Sequence, residues 1–191
     1  CQVCQSRDLI NVLNLDSHPL CDDLIPIGQP DVCKEYPIEI LMCKNCFTAN
    51  QKYNVSKYDL FPEGYHYRAR FTKDVLDGMK QLTDNIVSLY GNLDGKKVID
   101  IGCNDGSLLR LFKNKNALIF GVEPTNAHQE ATHVDNLWDT YFTHQLAKQI
   151  CDEHGPMDYI TFTNVFAHIE DFSDMLSAVK QLMHSNTKIV I

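Results

Sequence analysis

The stretch that decides the fold is VIDIGCNDGSL, residues Val98–Leu108. It opens with the mainly apolar run 98–101, which is typical of a buried strand, and continues through Gly102 and Gly106. Glycine carries no Cβ atom, so it lets the backbone turn tightly and approach a ligand. The stretch therefore predicts a strand that ends in a ligand-binding loop, followed by a helix from Ser107.

The rest of the chain alternates between helical and strand-like patterns. Apolar residues recur at helical spacing over 72–90, where Thr72 or Asp74 can cap the helix and Gly91 can end it. The patterns that follow predict strands at 98–101, 117–122, 157–162 and 187–191, and helices at 107–115, 143–153 and 172–183. This order predicts an α/β fold, a Rossmann-like doubly wound parallel sheet with helices on both faces. Ligands of such sheets bind at the carboxyl ends of the strands.

The loop after the first of these strands does not have the pattern of a phosphate site. No Gly-Lys-Ser/Thr follows it, and it lacks the third glycine of the dinucleotide pattern. Asp100 and Asp105 would repel a pyrophosphate, so a neutral or cationic ligand is favoured. Glu123, at the end of the next strand, can accept hydrogen bonds from ribose hydroxyls. A glycine loop after one strand and an acid after the next together indicate a site for the nucleoside half of S-adenosylmethionine. The alternative is a turn glycine and a surface glutamate.

Two cysteine pairs near the start indicate a metal site. Cys1 and Cys4, like Cys43 and Cys46, are separated by two residues, a spacing that lets both thiolates of a turn bind one ion. We expect a structural Zn²⁺ in a small domain at 1–53, with a loop or hairpin between the pairs. Disulfides or unrelated thiols are the alternative reading.

Other groups near these pairs are weaker candidates. His18 could replace a ligand, although His18-Pro19 is more typical of a turn. The remaining cysteines are expected to be small buried residues: Cys21, Cys33, Cys103 and Cys151.

An aromatic connector at 54–71 joins this region to the predicted sheet domain at 72–191. Its tyrosines and phenylalanines either pack the connector onto a neighbouring domain or line a substrate pocket in which a tyrosine hydroxyl is used.

Charge and length narrow the function. The formal net charge of −8 over 191 residues opposes nucleic-acid binding and favours a small-molecule substrate. Neither a membrane span nor a secretory signal pattern is present, so we expect a cytoplasmic protein. The apolar run at Lys188–Ile191 has nothing after it, so we expect the sheet domain to be incomplete at its C-terminus and the chain to be part of a longer protein.

The chain resembles the zinc-containing sugar C-methyltransferases along its whole length. The resemblance rests on collinear segments: CQVCQS, EYPIEILMCKNC, GYHYRARFT, VIDIGCNDGSLLRLFK, FGVEPTNAH and HGPMDYITFTNVFAHIEDF. It implies S-adenosylmethionine and a structural Zn²⁺ as cofactors, and C-methylation of a nucleotide-linked 4-keto-deoxysugar through an enolate. It also implies a further C-terminal domain beyond Ile191.

The resemblance also implies site residues. Those expected at the cofactor are Gly102, Asn104, Asp105, Glu123, Pro124, Thr125 and Asn164. His168, Tyr65 and Tyr67 are expected near the sugar as catalytic candidates. The chain departs from the family at Cys103, where a serine is common, and at 68–70, Arg-Ala-Arg, where the pattern tends to serines.

Alternatives remain open at this stage. His168 could be the base that removes a proton next to the ketone, or it could cap the following helix or contact the neighbouring acids. The protein could also be an O- or N-methyltransferase of another small metabolite, or a non-catalytic zinc-stapled binding fragment, because a shared cofactor fold does not fix the reaction.

Overall fold

The computed structural model describes residues 1–21, 24–29 and 33–191. The chain forms two compact units: Cys1–Leu60 with Glu170–Phe172, and Phe61–Ile169 with Ser173–Ile191. Within the described residues, no helix has both the length and the apolar character needed to cross a membrane.

The first unit contains a three-stranded antiparallel sheet in the order β1-β2-β3. Its elements are β1 (Leu9–Pro19), β2 (Glu35–Cys43), β3 (Ala49–Gln51) and the short helix α1 (Lys57–Leu60). Strands β1 and β2 pair from Leu9 opposite Cys43 to Pro19 opposite Glu35. The predicted hairpin between the cysteine pairs is therefore confirmed.

The predicted turn at His18-Pro19 is wrong. His18 lies in β1 opposite Tyr36, and its ring Nε2 is 2.6 Å from the carbonyl oxygen of Leu15. Pro19 is the last residue of this edge strand, a position where a missing backbone N–H is tolerated.

The second unit contains a parallel five-stranded sheet in the order β6-β5-β4-β7-β8. Its elements are α2 (Lys73–Tyr90), β4 (Lys97–Ile101), α3 (Ser107–Lys113), β5 (Leu118–Val122), β6 (Asn136–Trp138), α4 (His144–His154), β7 (Met157–Thr161), α5 (Phe172–Leu182) and β8 (Met183–Val190). The predicted parallel sheet is confirmed. Helix α2 ends where expected, because Gly91 takes a positive φ of 86° and its N–H closes the last turn on Val87.

Helices cover both faces of this sheet because parallel strands need crossover connections. On one face, Val98 of β4 and Ile119 of β5 share a core with Ile86 of α2. On the other face, the ring of Phe120 lies 5.2 Å from that of His154 in α4. Successive strand residues point to opposite faces, so both faces of β5 are apolar.

Two elements differ from the sequence prediction. Strand β6 is missing from the predicted pattern, because it has only three residues and begins with Asn136. Strand β8 begins at Met183, directly after α5, rather than at Thr187. The first part of β8 lacks the apolar pattern that marks a strand in a sequence, because Met183 is followed by a run of polar residues. Its pairing with β7 is also irregular, between Met157 and Tyr159.

The strand order defines one edge of the sheet as the place for a ligand. Strand β4 has β5 on one side and β7 on the other, so the chain changes direction of winding there. The loops at 102–106, 123–125 and 162–168 follow β4, β5 and β7 and leave the sheet at the same edge. Crevices outside such a switch point are the usual ligand sites of open α/β sheets.

Candidate cofactor site and zinc centre

The four sulfur atoms of Cys1, Cys4, Cys43 and Cys46 all lie within 4.8 Å of one another. The structure thus brings together the two cysteine pairs that the sequence singled out. All four cysteines are free thiols, and the Sγ–Sγ distances are 3.6 Å for Cys1 to Cys46 and 3.5 Å for Cys4 to Cys43. His18 is not part of the cluster.

The two cysteine turns have the same backbone form. The residue after the second cysteine of each pair, Gln5 or Phe47, has a positive φ near 60°. Its N–H donates to the carbonyl oxygen of the first cysteine, from Gln5 to Cys1 at 3.1 Å and from Phe47 to Cys43 at 2.9 Å. Each pair therefore presents its two thiols from one tight turn.

The thiol cluster fits a zinc ion. A tetrahedral Zn²⁺ with Zn–S bonds of about 2.3 Å requires sulfurs about 3.8 Å apart, close to the observed separations. A hydrogen bond from the Asn45 side chain is the main cause that holds the pKa of Cys4 at about 6, which favours the thiolate that binds metal. With four sulfur ligands, the ion keeps no position for water, so its role is structural.

The first unit depends on this cluster for its interior. Among its described residues, only Cys43 and Asn50 are buried. The Asn50 side-chain oxygen accepts the backbone N–H of Gln2, which ties the first cysteine turn to the second. Of the other cysteines in the chain, Cys103 is buried as expected, whereas Cys21 is exposed.

In the second unit, the glycines of the loop after β4 make room for protein groups. A Cβ atom on Gly102 would lie 2.4 Å from Cγ2 of Val165, in the loop after β7. A Cβ atom on Gly106 would lie 2.7 Å from Cε1 of His133, whose Nε2 is 2.8 Å from the Gly106 carbonyl oxygen. Both glycines also have positive φ values, 72° and 73°. Contacts within the chain are enough to explain them.

Glu123 lies at the end of β5 and is 5% exposed. Its Oε2 accepts the backbone N–H of Asn104 at 2.9 Å. Its Oε1 accepts both the N–H and the hydroxyl of Thr125, at 2.9 and 2.6 Å. Each carboxylate oxygen has about two acceptor positions, so these contacts leave one position on Oε2 for a ribose hydroxyl. In this respect the site fits the nucleoside half of S-adenosylmethionine.

Asn104 and Asp105 bind the connector through their side chains. The Asn104 amide accepts from the N–H of Ala69 at 3.0 Å and donates to the carbonyl oxygen of Tyr67 at 3.1 Å. Asp105 is buried; it accepts from the N–H of Arg70 at 2.9 Å and, through its other oxygen, from Ser107 at the start of α3. These two residues fix the connector to the loop.

Asp100 is buried near the end of β4, and it contributes less negative charge to the loop than the sequence suggested. It is 1% exposed, and its Oδ1 accepts the hydroxyl of Thr161 at 2.6 Å. Burial raises the pKa of Asp100 to about 7, so much of the carboxyl is neutral near neutral pH. The argument for a neutral or cationic ligand is therefore weaker at Asp100 than the sequence suggested.

The remaining cofactor candidates lie at the same edge. Pro124 is half-buried between Glu123 and Thr125. Asn164 follows β7, is exposed and has a φ of 57°, a conformation that asparagine tolerates better than most residues.

The three catalytic candidates belong to one series of ring contacts through Phe61. The Phe61 ring lies 5.6 Å from that of Tyr65 and 5.3 Å from that of His168. The Tyr65 and Tyr67 rings are 6.4 Å apart. Phe61 was not among the predicted site residues, and nothing in its sequence position distinguished it from the other connector aromatics.

Arg68 is the main residue of this region that the sequence reasoning did not assign. It is 9% exposed, and its guanidinium contacts groups in the connector and in the 3-10 helix Asn126–Glu130. The sequence marked it only as a departure from the serines of the resembled family.

Comparison with known families divides the chain into two parts whose boundary lies close to that between the two units. Residues 66–191 match the family described as a methyltransferase domain, and residues 1–61 match a zinc binding domain family.

Individual relatives cover different shares of the chain. The C-methyltransferase NovU of Streptomyces niveus is 27% identical over 188 residues, which are 96% of this chain and 44% of that protein. A ubiquinone biosynthesis O-methyltransferase of Glaesserella parasuis serovar 5 is 25% identical over 107 residues, 52% of this chain and 45% of that protein. The chain thus spans less than half the length of either relative.

Among solved structures, the magnesium protoporphyrin IX methyltransferase of Synechocystis PCC 6803 with bound S-adenosylmethionine is similar to this chain. It has a TM-score of 0.42 and 26% sequence identity, with 62% of this chain and 61% of that chain covered.

Removing two zinc ligands should empty the metal site and unfold the first unit. We expect about one zinc per chain in the wild type, and none in the Cys43→Ser, Cys46→Ser double variant. The matched control is Cys21→Ser, Cys151→Ser, which removes two thiols outside the cluster. Elemental analysis of the purified proteins measures the zinc content; zinc retained by the first double variant would contradict the assignment.

Substituting Gly102 should destabilise the second unit more than substituting Gly95. Both have positive φ values, which cost alanine about 1–2 kcal/mol. Only Gly102 faces Val165, and the clash should add about 1–3 kcal/mol to the loss in the free energy of unfolding. Denaturant titration of Gly102→Ala, Gly95→Ala and Gly102→Ala with Val165→Ala gives the comparison. Equal losses at both glycines, or no recovery with Val165→Ala, would contradict the packing explanation.

Proposed function

We propose that the protein is an S-adenosylmethionine-dependent C-methyltransferase acting on a nucleotide-linked 4-keto-deoxysugar. The starting point is that the chain belongs to the methyltransferase domain family. Residues 66–191 carry the methyltransferase domain, and the cysteine cluster belongs to a zinc-binding domain.

The observation that carries this proposal is the extent of the match to a C-methyltransferase. That relative aligns with 96% of the chain, including the zinc-binding part, whereas the ubiquinone biosynthesis O-methyltransferase aligns with about half. Segments typical of the sugar C-methyltransferases occur in both parts of the chain, from CQVCQS to NVFAH. This supports the sugar as the substrate class.

The proposed reaction needs a base close to the methyl donor. Bound S-adenosylmethionine supplies a methyl group, and its sulfur keeps the electron pair of the broken S–C bond. His168, Tyr65 or Tyr67 takes the proton from the carbon next to the ketone, and the C–H electron pair forms the enolate. The nucleophilic carbon of the enolate then forms the new C–C bond to the methyl group.

The geometry supports placing this base near the cofactor loop. Phe61 contacts both Tyr65 and His168, so a tyrosine and the histidine border the same ring. Asn104, next to the Glu123 carboxylate, holds the backbone of Tyr67. Asn104 therefore connects the backbone of Tyr67 to the candidate ribose acceptor Glu123 by hydrogen bonds, while Tyr65 and His168 are related through ring contacts with Phe61.

An O-methyltransferase is the second candidate. It is favoured by the match of about half the chain to the ubiquinone biosynthesis O-methyltransferase. The two candidates differ in their product, because a methyl group on carbon involves no ether bond and survives treatment with base.

Glu123 should contribute to binding through a ribose hydroxyl. Replacing it with Gln removes the charge and should weaken S-adenosylhomocysteine by about ten- to a hundredfold, the value of a charge-assisted hydrogen bond. Calorimetric titration should also include the 2′-deoxyribose and 3′-deoxyribose analogues of the ligand. If Glu123 contacts one of the two hydroxyls, removing that hydroxyl from the ligand should weaken binding to the wild type. The same removal should weaken binding to the Glu123→Gln variant only slightly further. Full additivity for both analogues would contradict the contact.

The base should be identified by proton exchange at the sugar. We expect the protein, expressed from its complete reading frame, to exchange deuterium next to the ketone with solvent when S-adenosylhomocysteine replaces the methyl donor. Loss of exchange in His168→Phe, Tyr65→Phe or Tyr67→Phe identifies the base, and turnover should fall about 10²- to 10⁴-fold in that variant. Mass spectrometry and proton NMR follow exchange and product.

Tyr90→Phe is the control for this experiment, because Tyr90 ends α2 and contacts Tyr159 away from the connector. Exchange should be unchanged in it. A product methylated on oxygen would contradict the enolate mechanism and support the second candidate.

A further inference from the structure

The guanidinium of Arg68 makes four hydrogen bonds, two to the connector and two to the 3-10 helix Asn126–Glu130. Its Nη1 donates to the carbonyl oxygens of Tyr65 and Tyr67 at 2.7 and 2.8 Å. Its Nη2 donates to Oδ1 of Asn126 at 2.7 Å, and its Nε donates to Oε1 of Glu130 at 2.8 Å. Arg68 therefore links the backbone carbonyls of Tyr65 and Tyr67 to the 3-10 helix after β5.

Only arginine can make this set of contacts. A guanidinium has five N–H donors in a planar fork, of which four are used here, whereas lysine has three donors on a single nitrogen. The Glu130 carboxylate pairs with the positive charge of the buried Arg68 guanidinium. Burying that charge without a partner would destabilise the folded protein. Because Arg68 is only 9% exposed, its contacts serve the connector rather than a substrate.

The same connector is held on its other side by the cofactor loop. Asn104 binds the Tyr67 carbonyl and the Ala69 N–H, and Asp105 binds the Arg70 N–H. Two adjacent regions of the second unit, the loop after β4 and the helix after β5, therefore hold the backbone at 65–70. The backbone carbonyls of Tyr65 and Tyr67 are themselves two of these attachment points.

We propose that Arg68 is a positioning residue that holds Tyr65 and Tyr67 in place beside the cofactor loop. The catalytic value of this position rests on the proposed function; the holding of the two tyrosines does not. A group that moves a proton must be held within about 0.5 Å of its working position. Two carbonyl contacts from one planar group restrict the backbone at both tyrosines at once. Even the conservative substitution Arg68→Lys should therefore disturb their positions.

The spectroscopic test uses fluorine NMR of protein labelled with 3-fluorotyrosine. Signals are assigned by replacing each tyrosine with Phe. In Arg68→Lys and Arg68→Met, we expect the Tyr65 and Tyr67 signals to shift and broaden, while those of Tyr90 and Tyr159 stay at their wild-type positions. A general loss of structure would move all of the signals. If Arg68→Met does not fold, Arg68→Lys, which keeps the charge beside Glu130, decides the test.

Arg70→Met is the matched control. Arg70 also pairs with Glu130 but makes no side-chain bond to the carbonyls of Tyr65 or Tyr67 in the described contacts. Both tyrosine signals should therefore keep their positions in this variant. Unchanged Tyr65 and Tyr67 signals in Arg68→Lys, or equal changes in Arg70→Met, would overturn the proposal.

The catalytic test uses the complete reading frame and nucleotide-linked 4-keto-6-deoxysugars. In Arg68→Lys, kcat should fall about 10- to 100-fold, while the KM for S-adenosylmethionine and the affinity for S-adenosylhomocysteine stay within about twofold. An unchanged kcat with displaced tyrosine signals would overturn the role of the position in catalysis. If the wild type methylates none of these sugars, the proposed substrate is wrong, and the fluorine signals still decide whether Arg68 holds the tyrosines.

Discussion

The hydrogen bond from the Asn104 backbone to the Glu123 carboxylate is the contact on which the candidate site depends. It joins the loops that follow two neighbouring parallel strands, and it holds Asn104 at a positive φ of 52°. From that position the Asn104 side chain reaches the connector at Tyr67 and Ala69. A single carboxylate at the end of β5 thus orders the loop after β4 and, through it, the segment that carries the tyrosines.

The parallel sheet could be predicted from the sequence because its strands are buried on both faces. Residues such as Val98 and Ile99 form mainly apolar runs, and the helices between them have regular apolar spacing. The cysteine turns could also be predicted from the sequence, since a metal cluster requires particular residues at fixed separations. Strand β6 could not be predicted, because a strand of three residues that begins with Asn136 shows too little periodicity.

The roles of polar residues within the site were harder to predict because they depend on contacts between distant positions. Arg68 meets Asn126 and Glu130 across about sixty positions of the chain, and no local pattern marks that meeting. Asp100 looked like part of the loop, yet strand alternation and burial turn it towards Thr161. Sequence spacing identified which loops matter, while the partners of each side chain followed only from the folded structure.

The packing of Gly102 against Val165 has a consequence for how this loop can change through evolution. A larger residue at 102 would be tolerated only after a smaller one had appeared at 165, so the order of substitutions matters. His133 imposes a similar condition on Gly106. These conditions act whether or not the protein still binds its cofactor. A descendant without the proposed methyl transfer would therefore be expected to keep both glycines, and their presence alone would not distinguish an active lineage from an inactive one.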